Sequence, residues 1–160
     1  MSDNYLLSMY EKMLKLPLGR RVFSIYSARR APYFRTIKPL VLNVEPNRCD
    51  IFIKKRRAVE NHIGTVHVIA ITNGLEMAMG FMAEASIPKN LRWIPKGMIL
   101  DYTAKADSDI TCTAEVAPEN WETGDLKVKV TARDTQNIVV VQGEITLWVS
   151  EKPTKRPDQI

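Results

Sequence analysis

From Leu40 onward the apolar positions recur every second residue, with one long interruption. Leu40, Leu42 and Val44 alternate with Val41, Asn43 and Glu45; Pro46-Asn47-Arg48 turns the chain; Ile51 and Ile53 then alternate with Asp50, Phe52 and Lys54. A period of two sends successive side chains to opposite faces, so these segments read as two strands of a hairpin. Further on, Met98, Leu100 and Tyr102 alternate with Asp101 and Thr103, and Ala106 to Asp109 forms a turn. Ile110, Cys112, Ala114 and Val116 continue the pattern, followed by Leu126, Val128, Val130 and Ala132. A turn at Asp134 to Asn137 leads to Val139, Val141, Gly143, Ile145, Leu147 and Val149. Four strands in succession joined by short turns predict an antiparallel meander with one wet face.

Two segments follow the helical period instead. Leu6, Leu7, Tyr10, Met13 and Leu14 form an amphipathic opening helix that Pro17 stops. The interruption itself, from about Val68 to Glu84, is apolar nearly all round, as a helix buried on most sides would be. The predicted architecture is α+β, with one antiparallel sheet wrapped around a long central helix and an extra helix before it. With 160 residues and 18.2 kDa the chain suits one domain. Its expected parts are a helical extension over residues 1–34, a core over 35–150, and a polar, proline-bearing tail over 151–160 that frays.

Composition excludes several classes. Hydrophobic content of 45% and charged content of 26% are ordinary globular values. Cys49 and Cys112 lie far apart, with neither CxxC spacing nor a histidine pair nearby, so they read as reduced strand residues and no metal site is expected. No apolar run reaches the roughly 20 residues of a spanning helix. The N-terminal stretch carries Glu11, Lys12 and Lys15 and no small-residue cleavage site, which leaves a cytoplasmic location as the expectation.

The net charge of +5 is unevenly spread: residues 1–57 hold 13 Lys/Arg and 4 Asp/Glu, so the first part carries +9 and the remainder −4. The positive part includes Arg20, Arg21, Arg29, Arg30 and the run Lys54-Lys55-Arg56-Arg57. Such a patch suits nucleic acid, a phosphorylated small molecule, or simply a solvated strand end. No RNP pattern, GxxG clamp or Cys/His finger accompanies it, so nucleic acid is not expected as a partner.

One carboxylate, Glu76, stands inside the long apolar helix. Thr72, Asn73 and Gly80 fall three or four positions from it and share its face. A buried lone carboxylate is costly, which leaves two readings open. Either Glu76 bridges to a basic group or points to solvent, or it lines a cavity as base or nucleophile. Upstream, Asn61-His62-Ile63-Gly64-Thr65-Val66-His67 leads into the helix, whose first N–H groups can polarise a carbonyl oxygen. His67 or Thr65 equally suits an N-cap, and His62 a surface loop.

Asn61-x-x-Gly64-x-x-His67, followed nine residues later by Glu76, resembles the hotdog-fold thioesterases of the phenylacetyl-CoA type. Their pattern is Asn-x-x-Gly-x-x-His-Gly-Gly and then Asp or Glu on the central helix, and the order of elements over roughly residues 35–150 fits as well. The resemblance implies an acyl-CoA pocket at the interface of a homodimer, which can pair further into a tetramer, with coenzyme A as part of the substrate and no separate cofactor. It also implies site roles: the Ile69 backbone N–H polarises the thioester carbonyl, Glu76 is base or nucleophile, and Asn61 and His67 of the Asn61–Gly64–His67 motif orient water and thioester. Lys54, Lys55, Arg56 and Arg57 are candidates for the coenzyme A phosphates.

Geometry adds a constraint. Ile69 and Glu76 are seven residues apart, about 10 Å along one helix, whereas one reacting carbonyl needs both near 3 Å. Joint action therefore requires a second chain. The chain departs from the pattern where Val68-Ile69 replaces Gly-Gly, two β-branched side chains in the space of a thioester sulfur. That departure keeps a second function class open, a non-catalytic hotdog that binds an acyl or other hydrophobic ligand. A dehydratase is a weaker third, because the His-Phe-Pro-type loop is missing.

Overall fold

The computed structural model describes residues 4–153; the expected tail lies outside the described residues from position 154 onward. Its elements run α1 (Tyr5–Leu14), α2 (Gly19–Arg30), β1 (Leu40–Glu45), β2 (Arg48–Ile53), α3 (Val68–Ser86), β3 (Leu91–Tyr102), β4 (Ile110–Glu115), β5 (Gly124–Arg133) and β6 (Val139–Glu151). Six antiparallel strands form one sheet in the order β1-β2-β4-β5-β6-β3, and α3 packs chiefly across β2 and β4. This is the α+β wrapping that the two periods predict.

The sequence reading of the strands needs two corrections. The last four strands are not a simple meander, since β3 does not pair with β4. The chain crosses over, and β3 closes the far edge by pairing with β6, with Leu100 opposite Gly143 and Met98 opposite Ile145. Alternation reports which face a residue takes, not which strand lies beside it, so crossover and hairpin look alike in sequence. In β1 the register shifts between Val41 and Asn43, so that Val41 and Val44 both bury while Leu42 is only half-buried. A bulge of this kind breaks the period of two.

The N-terminal extension also holds more than the expected single helix. Pro17 does end α1, but a second helix follows, and its buried face is Phe23, Ser24, Ser27 and Ala28 rather than an aliphatic stripe. Ser24 Oγ donates to the Arg20 carbonyl at 2.7 Å and accepts from the Val41 N–H at 2.8 Å, which ties α2 to β1. Phe23 stacks edge-on between Tyr10 of α1 (4.9 Å) and Phe81 of α3 (5.9 Å). At the other end β6 runs to Glu151 and Lys152 N–H donates to the Asn90 carbonyl, so the first residues of the expected tail are held.

Cys49 and Cys112 are free and fully buried on β2 and β4. Burial pushes both thiols well above the ordinary cysteine value, which removes them as nucleophiles. Among the described residues no helix is long and apolar enough to cross a membrane.

Edge strand β3 has an unusual environment. Trp93, Pro95, Met98, Leu100 and Tyr102 lie opposite Val149, Leu147, Ile145, Gly143 and Val141 of β6, and so face the same side of the sheet as α3. Yet Met98 is 39% exposed and Tyr102 65%, because α3 lies over the opposite part of the sheet. The alternation over Met98–Tyr102 thus marks the inner face correctly, but the chain's own helix leaves it uncovered.

Glycine sets how closely layers and strands approach. A Cβ on Gly143 would stand 2.0 Å from the Ile99 carbonyl oxygen, a backbone atom that cannot move aside. One on Gly74 would meet Ile53 Cδ1 at 2.6 Å and Cys112 Sγ at 2.8 Å, both side-chain ends. Gly143→Ala should therefore cost about 1–3 kcal/mol or more by forcing β3 off β6. Gly74→Ala should cost less, because a helix gain of up to ~1 kcal/mol offsets part of the crowding. Thermal melts of both variants check the order; Gly74→Ala melting at or below Gly143→Ala would contradict it.

Candidate functional site

The loop before α3 is built around Asn61. Its Oδ1 accepts from the N–H groups of Ile63 and Thr65, each at 3.1 Å, and its Nδ2 donates to Thr65 Oγ1 at 2.8 Å. Backbone bonds close the same turn, Asn61 N–H to the Thr65 carbonyl and Gly64 N–H to the Asn61 carbonyl. Gly64 takes φ +78°, the left-handed region that favours glycine, and a Cβ there would meet nothing within 4 Å, so backbone conformation and not space explains the residue. Val66 N–H then donates to the Ala106 carbonyl and His67 N–H to the Val59 carbonyl, which aims the chain into α3.

His67 caps the helix. Its Nδ1 accepts from the Ile69 N–H at 3.1 Å, so the imidazole is unprotonated at Nδ1 in this bond and carries its hydrogen on Nε2. The amide expected to polarise a carbonyl is thus occupied by the motif's own histidine. His67 is exposed, and so is the Ile69 side chain, at 53%. His62 lies on the surface of the loop.

Two hollows meet at His67. One, of about 460 Å³, is lined by Asn61, Val68, Ile71, Tyr102 and Val141 among others, and opens toward the uncovered end of β3. The other, of about 390 Å³, holds Tyr33, Thr36, Ile69 and Asn73 on the opposite flank of the helix. Asn73 is only 5% exposed; its Nδ2 donates to the Tyr33 carbonyl at 3.3 Å and to Thr36 Oγ1 at 3.2 Å, while its Oδ1 has no protein donor. Sequence reading placed Asn73 on the Glu76 face but gave it no role, since only the packing of Tyr33 and Thr36 against α3 creates its surroundings.

Glu76 lies two turns beyond the cap, half-buried, and lines neither hollow. No hydrogen bond or ion pair joins its carboxylate to another described side chain, so the option of a bridge to a basic group within the chain falls, while the other options stay open. Its direction follows from its neighbours one and two turns on. A Cβ on Gly80 would touch the Trp93 ring at 3.7 Å, and Glu84 Oε1 accepts from Trp93 Nε1 at 2.9 Å. Glu76, Gly80 and Glu84 share a stripe at intervals of four, so the acid belongs to the side of α3 that turns toward β3 and its uncovered inner face.

The basic run does not act as a unit. Lys55 Nζ pairs with Asp107 at 2.6 Å, a contact that holds the Asp107 carboxyl below its ordinary range, and Arg56 donates to the Thr36 carbonyl at 2.7 Å. Lys54 turns to a hollow beside α2, and Arg57 is exposed. Among the described residues no three His, Cys, Asp or Glu side chains gather as a metal set. The fold therefore brings Asn61, Gly64, His67 and the Ile69 amide together, leaves Glu76 apart within one chain, and disperses Lys54 to Arg57.

Residues 19–149 match the family model described as Domain of unknown function (DUF4442). The chain belongs to that family. The structure is similar to that of the genomics target APC5556, at 38% identity and a TM-score of 0.82, covering 92% of this chain and 99% of the other. It is also similar to a thioesterase family protein from Silicibacter pomeroyi (16% identity, TM-score 0.69, 85% of this chain and all 100% of that one). The thioesterase HI1161 from Haemophilus influenzae matches with 10% identity and a TM-score of 0.66, over 74% and 82% of the two chains. At such identities the last two speak for the fold alone, and that fold is the hotdog. No curated protein matches the chain significantly.

Asn61→Ala removes three side-chain bonds from a half-buried loop and should cost about 1–3 kcal/mol. Hydrogen exchange should accelerate at Ile63 and Thr65 before it does in the sheet. Unchanged protection at those amides would show that Asn61 does not hold the loop.

Proposed function

We propose that this DUF4442 protein is an acyl-CoA thioesterase whose sites form between two copies of the chain, with Glu76 of one copy facing the α3 N-terminus of the other. The observation that carries the reading is the coincidence of a lone, unpaired acid with an uncovered apolar inner face at the same sheet edge. Antiparallel pairing of two β3 strands would continue the sheet, cover Met98 and Tyr102 with the second copy's α3, and bring Glu76 within reach of the helix end that its own chain holds about 10 Å away.

In this reaction Glu76 takes a proton from water as the water oxygen bonds to the thioester carbon. The charge that develops on the carbonyl oxygen is stabilised at the positive end of α3. Collapse breaks the carbon–sulfur bond, and the departing thiolate takes the proton back from Glu76, leaving a carboxylic acid and coenzyme A. His67 must release the Ile69 N–H for that amide to serve; an exposed cap held by one hydrogen bond can swing aside. Asn61 and Gly64 act by holding the loop that positions His67.

A specific observation favours a second reading. The Ile69 amide is capped, and the Ile69 side chain stands outward where related motifs carry glycine. A hotdog that binds acyl chains without hydrolysing them has this property too.

Thiol release from short, medium, long and aromatic acyl-CoAs separates the readings. Glu76→Gln should lower turnover by roughly 10²–10⁴-fold, the usual worth of a general base, with substrate binding retained. Turnover that survives the substitution would remove Glu76 from the mechanism, and acyl-CoA binding without any turnover would favour the binding module. Ile99→Lys, which puts a charge on the outer face of the edge strand, should convert a dimer to a monomer in sedimentation and abolish turnover with it. An active monomer would exclude a shared site.

A further inference from the structure

A hollow of about 550 Å³ lies at the other edge of the sheet, between α2, β1 and the turn Pro32–Ile37. Its floor is apolar, formed by Ile25, Ala28, Pro39, Leu40 and Phe52. Its rim carries five cations, Arg21, Arg29, Arg35, Lys38 and Lys54, and no carboxylate lines it. Arg21, Ile25 and Arg29 repeat every fourth residue, so α2 presents one stripe of two guanidinium groups around an aliphatic centre.

The surroundings make this cluster unusual. Several cations elsewhere are paired with carboxylates: Arg48 with Asp50 and Glu115, Lys55 with Asp107, Lys96 with Asp125, Lys127 with Glu144, and Lys129 with Glu115. No hydrogen bond or ion pair from the side chains of the five rim cations reaches another described residue. Like charges gathered around a concave, low-dielectric surface repel one another and focus a positive potential into it. A ligand that supplies negative charge relieves that repulsion, and the apolar floor rewards a ligand that also carries a hydrophobic or flat body.

We infer that this hollow binds an organic phosphate, with the phosphate oxygens on the arginine and lysine rim and an aliphatic or aromatic body on Ile25, Leu40 and Phe52. Guanidinium groups suit phosphate because their paired N–H donors match two of its oxygens. The volume lies within the range of small-molecule sites. Cations gathered around one apolar-floored hollow, rather than along a long basic stripe, argue for a small molecule over a nucleic acid or a membrane surface. The inference stands on this edge of the sheet alone and does not depend on hydrolysis at the β3 edge.

Calorimetric titration of the full chain tests it, with dodecyl phosphate below its micelle concentration and adenosine diphosphate as the two kinds of organic phosphate, and inorganic phosphate as the body-free control. Saturable one-to-one binding of at least one organic phosphate is expected, tighter than that of inorganic phosphate and weaker at high salt. The double variant Arg35→Glu with Lys38→Glu should weaken it by roughly tenfold or more, and so should the separate variant Arg21→Glu; all these side chains are exposed, and a thermal melt confirms folding. Lys12→Glu, exposed on α1 and outside the hollow, should leave it unchanged. No saturable binding of either organic phosphate overturns the inference, as does affinity indifferent to the rim charges or no better than for inorganic phosphate. Attachment only to phosphatidylglycerol vesicles, with neither soluble phosphate bound, also overturns it and assigns the face to a membrane.

Discussion

One helix cannot cover six strands. With neighbouring strands about 4.8 Å apart the sheet is roughly 24 Å across, whereas an α-helix with its side chains is about 10–12 Å wide. In this chain α3 is spent on β2 and β4, where Ile51, Ile53, Leu75, Met79, Cys112 and Ala114 pack without solvent. What remains must be covered by something else, and the two edges of the sheet differ in how that is done.

At the β1 edge the chain covers itself. Helices α1 and α2 pack over β1 and the outer side of α3, stapled by Phe23 between two aromatic rings and by Ser24 on the Val41 amide. That covering leaves a basic-rimmed hollow between α2 and the strands. At the β3 edge α3 reaches the Trp93 end, but among the described residues no helix covers the rest, so Met98, Leu100 and Tyr102 present an inner-face pattern with little above them. The same edge receives the stripe of α3 that bears Glu76. The protein is thus asymmetric across its sheet, with one edge closed within the chain and the inner face of the other left uncovered among the described residues.

The loop motif gains a physical meaning from the coordinates. Asn61 and Gly64 spend their chemistry on the turn itself, one by satisfying two amides and a hydroxyl, the other by adopting a positive φ. Their work delivers His67 to the end of α3, where it caps the Ile69 amide. The Asn61–Gly64–His67 pattern is therefore a folding device that sets the N-terminal end of α3.

Periodicity alone was enough to determine the strands, the long buried helix, the α+β class and the place of Glu76 inside that helix, because each follows from the spacing of side chains along one element. The Asn-x-x-Gly-x-x-His spacing likewise marked the loop and the cap. The order of strands, the bulge at Leu42, the second N-terminal helix with its buried serines, and the separation of Lys54 from Lys55 and Arg56 were decided only by tertiary structure. Each of those depends on which elements become neighbours. A crossover costs the chain nothing that alternation records, a serine buries only where a backbone amide waits for it, and a lysine finds its carboxylate only after a distant turn has come alongside.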